Sequence, residues 1–125
     1  MDEDGIGKLV VSASMRVHTA LGAGLLESAY EARLAYELTK QGLLIERQLS
    51  MPVTYESVRL DVGYRIDLLI ERKVVVEIKA VDRIIPAHLA QTLTYLKLGG
   101  YKLGFLLNFN VAHMRDGMKR VVNGL

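Results

Sequence analysis

Apolar residues recur at Ile6, Leu9, Val10, Ala13, Val17, Ala20 and Leu21, the spacing that predicts an amphipathic helix from Ile6 to Leu21. Gly22-Ala23-Gly24 interrupts it, because glycines so close together favour a cap or turn over helix interior. A stretch rich in Leu, Glu and Ala predicts a second helix from Leu25 to Gln41, closed by Gly42. Glu27, Tyr30, Glu31 and Leu34 share one side of it, and Leu38 continues the row. An acid among apolar neighbours places Glu27 at the border of the core, facing a cleft, although the rim of an ordinary packed helix has the same pattern.

After Gly42 the period changes. Leu43 to Ser50 and Val53 to Leu60 read as strands, with Pro52 at an edge or bulge where no ladder donor is available. Asp61-Val62-Gly63 turns the chain into a central hairpin from Tyr64 to Lys79, two apolar runs around the polar triplet Glu71-Arg72-Lys73. Four successive strands over residues 43–80 make a mainly antiparallel sheet. Ile85-Pro86-Ala87 opens a third helix running to about Leu98 and stopping at Gly99-Gly100. Leu89, Thr92, Leu93 and Leu96 form its apolar stripe, with His88, Gln91 and Tyr95 along another side. The nearly continuous apolar run from Tyr101 to Asn108 predicts a strand covered on both faces, and its link through a helix is the connection of a parallel crossover. The tail reads as a short helix or turn and a small edge strand near Lys119 to Val122. The pattern therefore predicts one α/β domain over residues 1–125, with helices packed on a mixed central sheet.

The hairpin carries the candidate chemistry. If residues 71–73 form the loop, Ile70 faces Val74, and counting back sets Asp67 opposite Glu77. Residues two apart in a strand share a face, so Glu77 and Lys79 are expected to point the same way as Asp67. Opposed like charges are destabilising, and the carboxylates need a cation between them. Magnesium takes oxygen ligands and is commonly held by one or two carboxylates plus a substrate phosphate. Asp67, Glu77 and the backbone carbonyl of Ile78 are candidate ligands, with Lys79 near the attacking water, an arrangement suited to metal-assisted phosphodiester hydrolysis. The competing reading is ordinary: a Glu-x-Lys triplet is common, and most charge pairs at sheet surfaces are solvated. The apolar character of Leu69, Val75 and Ile78 weighs against a wholly solvated strand.

Composition narrows the alternatives. Half of the 125 residues are hydrophobic and 24% charged, ordinary globular values that argue against disorder. There is no cysteine, so metal chemistry must use oxygen or imidazole, and His18, His88 and His113 are too isolated to suggest a zinc set. The acidic start lacks the features of a signal peptide, and no apolar run approaches the roughly 20 residues of a membrane span, so a cytoplasmic protein without a membrane partner is the expectation. A net charge of +2 is compatible with nucleic acid without being diagnostic. Lys97, Lys102, Arg115, Lys119 and Arg120 suit a phosphate-binding rim or a solvated charged face equally. His88 is a candidate substrate contact, although a histidine near a helix start more often caps it.

Asp67 followed by Glu77-Ile78-Lys79, between helices carrying Glu27 and Gln91 to Tyr95, resembles the PD-(D/E)XK nuclease superfamily. More narrowly, Gly24-Leu-Leu-Glu27-Ser-Ala-Tyr30 is similar to the signature of the GxxExxY proteins, and the likeness continues through His88-Leu-Ala-Gln91, Tyr95-Leu-Lys97 and Leu106-Leu-Asn108-Phe109. Ile66, where the superfamily often has proline, is a tolerated departure. The resemblance implies a restriction-endonuclease-like core. It also implies magnesium or manganese at Asp67 and Glu77, Lys79 beside the attacking water, and Glu27 as a further acid or second-metal ligand. Gln91 and Tyr95 would contact phosphate or position Lys79. The implied partner is nucleic acid, most simply DNA. A homodimer is plausible where one small site must engage two strands. The alternative is a catalytically silent module of the same fold that binds nucleic acid or a protein partner.

Overall fold

The computed structural model describes residues 1–60 and 63–125, so the turn predicted at Asp61-Val62 lies outside the described residues. Helices α1 (Glu3–Leu21), α2 (Glu27–Lys40) and α3 (Pro86–Gly99) fall within a few residues of the predicted bounds. Asp2 caps α1, its carboxylate accepting from Gly5 N at 2.8 Å. The strands are β1 (Ile45–Ser50), β2 (Val53–Tyr55), β3 (Val58–Leu60), β4 (Arg65–Ile70), β5 (Val74–Lys79), β6 (Leu103–Asn108) and β7 (Met118–Val122). A five-stranded sheet has the order β1-β4-β5-β6-β7, parallel only between β5 and β6, the crossover predicted for a link through α3.

One part of the predicted sheet is corrected. The stretch from Val53 to Leu60 is not the second strand of the main sheet but a separate hairpin of β2 and β3, turned at Glu56 and Ser57. Both residues take left-handed backbone, φ 47° and 66°, the conformation of a tight two-residue hairpin turn. β1 therefore pairs directly with β4, bringing residues 45–50 beside the central hairpin.

Two cores sandwich the sheet. On one face α1 and α2 bury Ile6, Val10, Tyr30 and Leu34 against Leu68, Ile70, Val74 and Val76. On the other, Tyr95 and Leu96 of α3 cover Ile66, Leu69 and Val75. The observed stripe of α3 is Thr92, Tyr95 and Leu96, which moves Tyr95 from the separate side predicted for it into the packed face. Among the described residues, no helix is long and apolar enough to cross a membrane.

The chain after β6 returns very close to it. A methyl group at Gly117 would collide with the backbone carbonyl oxygen of Asn108, an atom unable to swing aside. Gly117→Ala is expected to cost about 2–3 kcal/mol, measurable as a lower urea midpoint with little change in slope.

Candidate active site

The site forms where β4 and β5 part. Their ladder follows the predicted register, Ile70 with Val74, Leu69 with Val75 and Leu68 with Val76. One step further, side chains replace the ladder carbonyls. Ile78 N donates to Asp67 Oδ2 at 2.8 Å, and Asp67 N donates to Glu77 Oε1 at 3.3 Å. Each acid thus binds the backbone of the opposite strand.

The alternation of faces expected to set Asp67, Glu77 and Lys79 on one side is interrupted in β4. In β4, Leu68 and Ile70 enter the core under α1 and α2 while Leu69 and Ile66 enter the core under α3, so strict alternation breaks between Ile66 and Leu68. β1 has a matching break, with Ile45 packed on the first core, Leu49 on the second and Gln48 at φ 52° between them. Asp67 sits at this break. Its N–H donates to Glu77, its carboxylate accepts from Ile78 N, and it also lines a cleft of about 290 Å³ with Glu27, Ser28, Glu31, Gln48 and Ile78.

The acids differ in environment. Asp67 is half-buried, whereas Glu77 is only 4% exposed. Burial first, then the Asp67 charge, pushes the Glu77 carboxyl up to about 9, opposed by the hydrogen bond from Asp67 N and, more weakly, by the charge of Lys79. Metal-free Glu77 is therefore protonated at neutral pH. The Tyr95 hydroxyl is pushed up too, by burial first and then by Glu77 and Asp67, and its ring meets Tyr64 edge to face at 6.1 Å.

Other predicted residues divide. Lys79, on β5, is half-buried, and its neighbour across the parallel ladder is Asn108. Glu27 lines the cleft but is exposed, and the α2 acid that reaches inward is Glu31, 7% exposed. Gln91 and Lys97 lie exposed on α3. His88 caps that helix, its Nδ1 accepting from Ile85 N at 3.1 Å. Tyr30 packs rather than reacts: its hydroxyl donates to Gly22 O at 2.6 Å and its ring stacks on Phe109 at 4.7 Å.

The sequence reading missed Gln48 and Asn108. Asn108 is 2% exposed; its Oδ1 accepts from Val81 N at 3.1 Å and its Nδ2 donates to Val81 O at 2.9 Å, fixing the chain just beyond Lys79. A lone amide closing an apolar run was the available signal.

Among the described residues, no three Asp, Glu, His or Cys side chains form a group that could hold a metal ion. A closed cage is therefore absent from them. The donors do fit an open site for a hard divalent ion: adjoining carboxyl groups, one of them held protonated largely by burial and by the charge of the other.

The family description of the PD-(D/E)XK nuclease superfamily matches residues 4–121. No curated protein and no solved structure matches significantly. The mixed sheet between helices is restriction-endonuclease-like, the superfamily generally uses divalent metals, and the match supports a nuclease-type function. With nearly its whole length matched, the chain belongs to the PD-(D/E)XK nuclease superfamily.

Proposed function

We propose that this protein, a single domain close to the GxxExxY proteins, hydrolyses phosphodiester bonds of nucleic acid, with DNA as substrate and magnesium or manganese as cofactor. The observation that carries the reading is the meeting of two acids at the parting of β4 and β5, Asp67 N donating to Glu77 and Ile78 N to Asp67, with Glu77 raised to about 9. Asp67 and Glu77 would hold the ion, with the Ile78 carbonyl as a further oxygen donor. When bound, the ion neutralises phosphate charge and acidifies water. Lys79 orients the attacking water through its Nζ and offsets charge growing on the phosphate. Tyr95 orders the Glu77 side of the site, while Glu27 is a further acid at the mouth of the cleft. Gln91, Lys97 and His88 lie along α3, where the departing strand would run.

Calorimetric titration with manganese tests the reading. Wild-type protein is expected to bind the ion, and Asp67→Asn to weaken binding at least tenfold. No ion binding by wild type, together with nucleic-acid binding indifferent to Asp67→Asn, would instead assign the chain to a catalytically silent binding module.

A further inference from the structure

Gln48 has no counterpart in the chemistry above, yet it occupies a position that an ordinary strand residue would not. Its backbone is left-handed at φ 52°, in the middle of a strand whose neighbours are regularly paired. For a residue with a Cβ that conformation is strained. It turns the side chain toward α2 and β4 together. Nε2 donates to Glu31 Oε1 at 2.5 Å and to Asp67 Oδ1 at 3.2 Å, so one amide group joins two acids from different elements. Glu31 is itself anchored, its other oxygen accepting from Arg47 Nη2 at 3.0 Å and Nε at 3.2 Å. The result is a continuous relay from α2 through β1 to β4, ending where Asp67 Oδ2 receives Ile78 N on β5.

We infer that Gln48 is a positioning residue: strained backbone places its amide so that Glu31 and Gln48 together fix the rotamer of Asp67, leaving Asp67 Oδ2 directed at Ile78. The inference rests on the proposed role of Asp67 for its catalytic consequence, but not for the geometry itself. Within it, Glu31 does not touch substrate. It works as the anchor for the amide, and its pairing with Arg47 keeps its charge from repelling Asp67.

Gln48→Gly separates this role from simple support of the fold. Glycine adopts the left-handed conformation without strain, while the variant loses the amide's bonds to Glu31 and Asp67 and gains freedom when unfolded, so these effects are expected to offset and the melting temperature to stay within about 3 °C of wild type. Without the amide, Asp67 is released, and hydrogen exchange at the Ile78 amide is expected to quicken at least tenfold while that of Val76 is unchanged. Manganese-dependent cleavage of DNA is expected to fall at least tenfold. Gln48→Glu, which sets a third carboxylate between the two and keeps the backbone strain, is expected to lose activity and to melt lower than Gln48→Gly. Unchanged Ile78 exchange in Gln48→Gly would overturn the inference, as would full activity in that variant where Asp67→Asn is inactive. If wild-type protein cleaves nothing, the nucleolytic reading fails instead, and the exchange measurement still decides the role of Gln48.

Discussion

Lys79→Ala is expected to lower metal-dependent cleavage by about 10²–10⁴-fold while leaving thermal stability nearly unchanged. Lys79 lies two residues beyond Glu77 on β5, in the half-buried end of the strand, and the segment after it is fixed by Asn108. A cation held there favours the ionised form of Glu77 and, in the proposed reaction, would meet the charge that develops on a phosphate. Because Lys79 is only half-buried and stands at the last position of β5, after the buried residues of that strand, truncation removes little packing. Asp67→Ala is expected to be at least as severe, because it removes the proposed metal donor and leaves Ile78 N without its acceptor. Arginine at position 79 keeps the charge but not the compact ammonium, and is expected to recover only a small part of the rate. Steady-state cleavage of a labelled duplex, with melting curves for each variant, checks these outcomes. Loss of rate accompanied by unfolding would assign Lys79 to structure instead.

Glu77→Gln is expected to make the metal-free protein more stable than wild type at pH 8, by an amount of order 2 kcal/mol, with little difference near pH 4. The sign follows from linkage. The folded-state Glu77 carboxyl is raised to about 9 from an ordinary 4.5, so the native state holds a proton that the unfolded chain releases. The stability this contributes is fully present below about 4.5 and is lost as pH rises toward 9. Glutamine keeps an oxygen to accept from Asp67 N and never ionises, which removes the loss. Each pH unit inside the window corresponds to at most about 1.4 kcal/mol, and coupling to Asp67 lowers the realised sum. A divalent ion bound at the proposed site is expected to reverse the ranking, since it would favour the carboxylate and stabilise wild type by mass action. Urea unfolding between pH 4 and 9, with and without manganese, reads both effects. A difference between the two proteins that is flat with pH would contradict a raised Glu77.

Much of this architecture was legible because the controlling signals are local. The helical spacing of Ile6 to Leu21 and the glycines after Leu21, Gln41 and Leu98 determine the helices and their ends. The hairpin register followed from the three-residue loop at Glu71 to Lys73, since a tight loop leaves one pairing free of strain. Val53 to Leu60 misled because its turn uses Glu56 and Ser57 in left-handed conformation, without the glycine or asparagine that usually announces such a turn. That difference hid β1 beside β4, and with it Gln48 beside Asp67. The packed position of Tyr95 was obscured for another reason: Thr92 sits in its stripe and Gln91 precedes it, so periodicity alone gave two plausible faces. Glu31 was placed on the right side of α2, but only the fold distinguishes it from Glu27, four residues earlier and a full turn nearer the solvent.

The central claim is that Asp67, Glu77 and Lys79 form one metal-dependent site for cutting nucleic acid. The most direct test incubates purified protein with single- and double-stranded DNA and RNA, in magnesium or manganese and in chelator, alongside Asp67→Asn. The account predicts cleavage of DNA by wild type with either metal, none with chelator, and none by Asp67→Asn. Cleavage that survives in Asp67→Asn, or no cleavage of any substrate by metal-loaded wild type, would contradict it.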